Sequence, residues 1–250
     1  MKPLLLAVTF LTRLPIPVHG PVEERDLAFA ARWFPLVGLG VGGLLGAVEG
    51  LGSAAIGPLA GPALTLLVMA LVTGGLHLDG TADTVDGLAG GGDRERTLEI
   101  MKDSRVGAFG ALALVLDLLI RFALLSSMNP GARFLALVGS TVAGKAAMLY
   151  AVARFPYARA TPGLGTAFAG RLSRREMLFA GSLTVAIGAL LMAMGGGAAI
   201  FALGLAMGVG GVSAHRLSRR LGGLTGDTFG FINEVGEISA LLAWACRWPL

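Results

Sequence analysis

The chain has 250 residues, of which 54% are apolar and only 14% charged, against about 25% charged in ordinary soluble domains. Together with a mean hydropathy of +0.74, this excludes a soluble globular protein and indicates a helix bundle in a bilayer, where 39 glycines let helices approach closely. The pI near 9.8 fits cytoplasmic loops facing anionic lipid and gives no reason to expect nucleic acid, and the single cysteine, Cys246, excludes an internal disulfide.

Residues 2–12 are apolar but too short to cross a membrane. Pro15 and Pro17 stiffen the chain beyond them, and no small-x-small cleavage site follows. An interfacial or re-entrant segment is expected there rather than a cleaved leader. Spans are expected at 34–56, 59–76, 107–128, 132–153, 177–195, 198–214 and 229–248, each near the ~17–25 residues that a crossing needs. The fold class is all-α: a polytopic membrane bundle of about seven spans, forming a single domain over residues 1–250. Connectors 77–106, 154–175 and 215–235 carry four, five and three Lys/Arg, and the first 32 residues carry four more. Sixteen of the twenty basic residues thus collect on one face, which puts that face and the N-terminus in the cytoplasm.

Two motif matches carry no chemistry. Gly38-x-Gly40-x-x-Gly43 lies inside an apolar helix with no strand before it, and Gly38, Gly42, Gly46 and Gly50 at four-residue spacing read as a packing ridge. Gly139 to Lys145 imitates a phosphate-binding loop but has Ala146 where Ser or Thr is required. Within the spans, Asp117 and Arg121 are four apart and pair as a structural couple. Lys145 has no local partner and is read as reaching an anionic ligand. For Glu49 the sequence gives no role.

The chemistry concentrates where the second span ends. Residues 74–87 read Gly-Gly-Leu-His-Leu-Asp-Gly-Thr-Ala-Asp-Thr-Val-Asp-Gly, and on a helix Asp79, Asp83 and Asp86 fall within about 60° of one another. Three carboxylates on one stripe repel unless a cation lies between them. Hard oxygen ligands suit Mg²⁺ or Mn²⁺, which keep waters and bridge to substrate phosphates. Lys102, Asp103 and Arg105 follow a short helical stretch and supply charge to neutralise a diphosphate. Gly222-Gly-Leu-Thr-Gly-Asp227, with Glu234 and Glu237, either completes a second metal site or holds basic residues in place. The middle connector offers Tyr157, Arg159 and Arg171 as phosphate donors.

These segments together resemble the cobalamin synthase family, adenosylcobinamide-GDP ribazoletransferase. The residues that carry the likeness are Gly74–Gly87, Leu98-Glu-Ile-Met-Lys-Asp-Ser-Arg105, Tyr157-Ala-Arg159 and Gly223-x-Thr-Gly-Asp227 with Glu234 and Glu237, joined by Thr12-Arg13-Leu-Pro15 and Phe34-Pro35. The chain departs at Thr81, where leucine is usual, and at Gly144-Lys145, where a Ser-Arg pair is usual. The resemblance implies transfer of the phosphocobinamide moiety of adenosylcobinamide-GDP to α-ribazole or its 5′-phosphate, with release of GMP. It implies Mg²⁺ dependence, with Mn²⁺ as substitute, and a cytoplasmic (inner) membrane setting with the site facing the cytoplasm. Its partners are the two substrates, the lipid bilayer, and an oligomer or other late-pathway enzymes, with no nucleic acid. On this reading Asp79, Asp83, Asp86, Asp227, Glu234 and Glu237 hold metal. Asp103 or Asp86 is the base, Lys102 and Arg105 act on the diphosphate, and His77, Lys145, Arg159 and Thr225 bind substrate. Two alternatives are a CDP-alcohol-phosphotransferase-like enzyme, which shares Asp79-Gly80 but has arginine where Asp83 stands, and a divalent-cation transporter using the same acids.

Overall fold

A computed structural model describes residues 2–159, 172–195 and 197–246. The described residues form eleven helices: α1 (Lys2–Leu11), α2 (Glu24–Ala31), α3 (Phe34–Ala55), α4 (Ala60–Thr73), α5 (Leu76–Gly90), α6 (Arg94–Ile100), α7 (Ala108–Ser127), α8 (Pro130–Arg154), α9 (Arg174–Gly195), α10 (Ala198–Leu221) and α11 (Gly226–Ala245). Five of them, α3, α7, α8, α9 and α10, are long and apolar enough to cross a membrane, and a sixth crossing arises if α4 and α5 count as one bent span. The seventh expected span is α11, whose acidic residues dilute its hydropathy but which is lined with buried residues along its length. The expected fold class therefore holds, with spans at nearly the expected positions.

The faces are inverted relative to a soluble bundle. On α7, Asp117, Arg121 and Leu125 are buried at four-residue spacing, while Leu112, Val115, Leu116, Leu119 and Ile120 are exposed. The polar stripe faces protein and the apolar one faces outward, as lipid demands. α8 is the axis: 83% of its apolar window is buried, against 22% for α7 and α9. It packs most extensively on α3 and α11.

The glycine ridge of α3 does what its spacing indicates. A Cβ on Gly38 would lie 2.8 Å from the Thr141 carbonyl, one on Gly42 2.6 Å from Val138 Cα, and one on Gly46 2.5 Å from the Phe134 ring. Thr141 Oγ1 donates to the Gly38 carbonyl at 2.8 Å across the same contact. Gly50, the fourth member, faces open space. On the far side of the bundle Arg133 donates to Glu49 at 2.7 Å, which assigns Glu49 a structural role. α1 is no separate peripheral element, since Leu6, Ala7 and Leu11 enter the core.

One turn departs from expectation. The second span does not run on to residue 76, because Gly74 and Gly75 both take left-handed φ, 62° and 69°, a pair of conformations that side-chain-bearing residues avoid. α5 consequently leaves α4 at 89°, off the line of a crossing. Gly42→Leu should therefore unlock α3 from α8 at a cost of about 1–3 kcal/mol or more, whereas Gly50→Leu should leave the melting temperature in detergent unchanged. Equal melting of the two variants would refute the ridge.

Candidate active site

The site is built where α5 crosses α11. At Gly80 an added Cβ would sit 2.7 Å from the Asp227 carbonyl, and at Gly230 another would lie 3.2 Å from His77 Cα. Glycine at both places lets the two backbones touch, which brings Asp79 and Asp83 beside Asp227. Connectors 155–159 and 222–225 are stitched together by Ala158 N–H to the Leu224 carbonyl and Leu224 N–H to the Pro156 carbonyl, each 2.8 Å. Arg94 clamps the stitch from α6, donating to the Leu221 and Ala158 carbonyls at 2.7 Å each. The stitch delivers Arg159, which donates to Asp227 at 2.7 Å.

Asp79, Asp83 and Asp227 thus crowd together with Arg159 among them. Burial, and then the charges of Asp79 and Asp227, push the Asp83 carboxyl up from 3.8 to about 7. Such a cluster favours a cation. Among the described residues no three acidic, histidine or cysteine side chains are placed to hold a metal ion as they stand, so a cation here would need water or substrate oxygens to complete its ligands. A cavity of about 260 Å³ adjoins the cluster, walled by Phe10, Phe34, Met148, Val152 and Phe229 and reached by His77, Asp79, Arg159 and Asp227.

Several sequence assignments change. Asp86 is turned away from the stripe: its two oxygens accept from the N–H groups of Gly107 and Gly110, 2.7 Å each. A Cβ at either glycine would collide with that carboxylate. Asp86 therefore serves the start of α7, where the helix dipole favours a negative charge, and is a weak choice for either metal ligand or base. Asp103 is paired with Arg105 at 2.6 Å. That bond holds its carboxyl down at about 2, too low for a general base near neutrality. Lys102 and Arg105 are exposed beside it and do not line the cavity.

Glu234 and Glu237 are not metal ligands. Arg121 donates to Asp117 at 2.9 Å, Glu234 at 2.6 Å and Glu237 at 3.0 Å. Lys145 donates to Asn233 at 2.9 Å and Glu237 at 3.0 Å. These carboxylates neutralise buried cations in the bundle interior, so Lys145, 2% exposed, is a structural partner and not a substrate contact. The expected Asp117–Arg121 couple is present, enlarged by α11. The Gly144-Lys145 departure fits this arrangement, because a Cβ at Gly144 would lie 2.8 Å from the Asn233 carbonyl. Thr225 is fully buried and caps α11, accepting from Thr228 N–H, which makes it structural as well. Thr81 is buried on the face away from the aspartates and donates to the His77 carbonyl at 2.9 Å. Arg171 lies outside the described residues.

Sequence reasoning missed the apolar cavity wall, Asn233, and the steric purpose of Gly80 and Gly230. Asn233 sits one residue before Glu234 in an expected span, and such a residue inside a bilayer is itself a signal.

A family model described as cobalamin-5-phosphate synthase matches residues 3–245. The chain belongs to this family. Relatives named adenosylcobinamide-GDP ribazoletransferase include proteins of Syntrophobacter fumaroxidans, 41% identical with 97% of each chain covered; Clostridium novyi, 37% identical with 97% of this chain and 96% of the relative covered; and Pseudomonas putida, 42% identical with 98% and 99% covered. No solved structure matches. Family membership makes the protein a transferase of cobalamin synthesis, and it sets aside the CDP-alcohol-phosphotransferase alternative.

Between the ordinary Asp83 value of 3.8 and about 7, the folded chain binds more protons than the unfolded one, so stability falls as pH rises through that window. In chelator, the protein should melt higher at pH 5 than at pH 8, and Asp83→Asn should lose most of that difference. A variant that keeps the full pH dependence would remove Asp83 as its source.

Proposed function

We propose that this chain transfers the phosphocobinamide moiety of adenosylcobinamide-GDP to a hydroxyl of α-ribazole or its 5′-phosphate, releasing GMP. The observation that carries the reading is the crowding of Asp79, Asp83 and Asp227 around Arg159 at the mouth of an apolar cavity. The family membership and the relatives' shared name support it. A cation-transport reading loses its support, because the mid-bundle acids are already neutralised by Arg121 and Lys145.

In the transfer, the ribazole hydroxyl oxygen attacks the phosphorus that carries the cobinamide group. The bond from that phosphorus to the bridging oxygen breaks, and GMP leaves with the oxygen. Asp79, Asp83 and Asp227 would hold Mg²⁺, which supplies charge neutralisation on the diphosphate when bound. Arg159 faces the same oxygens, and its Nε has no partner among the described residues, leaving a donor for the developing charge. One aspartate of the cluster takes the hydroxyl proton, replacing Asp103 and Asp86 in that role. The enzyme's remaining task is alignment.

Asp83→Asn should cut Mg²⁺-dependent GMP release by about two orders of magnitude or more, because ligands acting as a unit are not additive. Asp93→Asn is the control. Asp93 caps α6 by accepting from Arg96 N–H at 2.8 Å, and asparagine caps comparably, so that variant should keep near wild-type turnover. Similar mild losses in both would defeat the metal assignment.

We further propose that the site faces the cytoplasm from the inner membrane, on the strength of the basic connectors. In a Cys246→Ser background, cysteine at Arg96 or Arg219 should be shielded from an impermeant reagent added to intact cells. Cysteine at Ile56, in the α3–α4 turn, should label. Reversed labelling would invert the topology.

A further inference from the structure

A second cavity, of about 750 Å³, lies on the other side of Asp79, between α1 and the sharp turn that opens α5. Phe10, Leu76 and Asp79 border both cavities. A reaction that joins two substrates needs two adjoining compartments with the reacting atoms at their common wall. We propose that the smaller cavity receives the ribazole nucleoside, base first, and the larger receives the GDP portion of the donor, with attack taking place at Asp79. The assignment rests on the reaction proposed above.

The walls differ in chemistry. The smaller cavity is lined by aromatic and aliphatic side chains, including Phe10 and Phe34, whose rings stack on each other in nearly parallel planes, 5° apart with 6.1 Å between centroids. A flat, alkylated bicyclic base loses little by leaving water for such an apolar wall. His77 adds a polar mark. Lys145 donates to Asn233 Oδ1, so the Asn233 amide nitrogen faces His77 Nδ1 at 3.3 Å. The same amide nitrogen donates to Glu234 and Glu237 at 3.0 Å each, so His77 sits at the edge of the buried polar network. His77 is 4% exposed, and its Nε2 has no partner among the described residues. A buried ring nitrogen without a partner is costly, and a ribose hydroxyl of a nucleoside in the cavity, which can both donate and accept, meets that need.

The larger cavity has no comparable aromatic wall. Arg13, which pairs with no carboxylate among the described residues, packs over Gly74 at its edge. The first turn of α5 borders the same space through Leu76 and Leu78. The corrinoid ring is far larger than either cavity, so it remains outside both.

The test is steady-state kinetics of full-length protein in liposomes with each substrate varied in turn. Arg13→Gln should raise the KM for adenosylcobinamide-GDP about tenfold while the KM for α-ribazole changes less than about twofold. Val152→Phe, which fills the smaller cavity, should do the reverse. Thermal protection gives a second readout: α-ribazole alone should stabilise Arg13→Gln but not Val152→Phe, and GDP alone should stabilise Val152→Phe but not Arg13→Gln. Each melting transition shows whether the variant is folded, and Met148→Phe replaces Val152→Phe if the latter has none. Exchanged effects, or both KM values rising together in each variant, would overturn the compartments while leaving the reaction intact. Failure of the wild type to release GMP from the two substrates would overturn the reaction and the compartments with it.

Discussion

A guanidinium inside a bilayer must have its donors met, and Arg121 meets its own with three carboxylates from two helices. Asp117 lies one turn away on α7, and Glu234 and Glu237 come from α11. Lys145 joins from α8 through Glu237 and Asn233, and Asn233 reaches His77 on α5. Four helices are thereby fixed in rotation about their axes, since removing any one partner leaves another charge buried and unmatched, a loss of about 3–5 kcal/mol. The aspartate cluster inherits its geometry from this network: α11 carries both Glu237 at the network and Asp227 at the cluster, and α5 carries both His77 and the other aspartates.

Glycine completes what charge begins. Ionic contacts choose which faces meet, and glycines decide how near the backbones come. Gly80 and Gly230 let α5 and α11 touch, while Gly144 and Gly236 do the same for α8 and α11, where a Cβ on Gly236 would lie 3.2 Å from Gly144 Cα. Lipid offers no hydrophobic drive for helices to associate, so close approach and internal polar bonds carry that load.

The carboxylates divide by what surrounds them. Those met by buried cations or by backbone N–H groups hold the architecture, as Glu234, Glu237 and Asp86 do. Those left crowded at the mouth of the apolar cavity, Asp79, Asp83 and Asp227, keep a surplus of negative charge beside Arg159. The same residue type serves both purposes because neighbours, and not identity, set the electrostatic balance.

Composition and hydropathy period determined the all-α membrane class and the positions of most spans, because both properties are local and additive along the chain. The Asp117–Arg121 couple and the α3 packing ridge were legible for the same reason, being contacts at helical spacing. Only the tertiary structure separated Asp86, Glu234, Glu237 and Lys145 from the site. Their partners, Gly107 and Gly110, Arg121, and Asn233 and Glu237, lie on other helices, and no spacing rule connects them. The cavity wall was hidden likewise, since Phe10, Phe34, Val152 and Phe229 read one by one as ordinary core. A partner's distance in space decides whether a charge is free to act, and that distance exists only once the helices have packed.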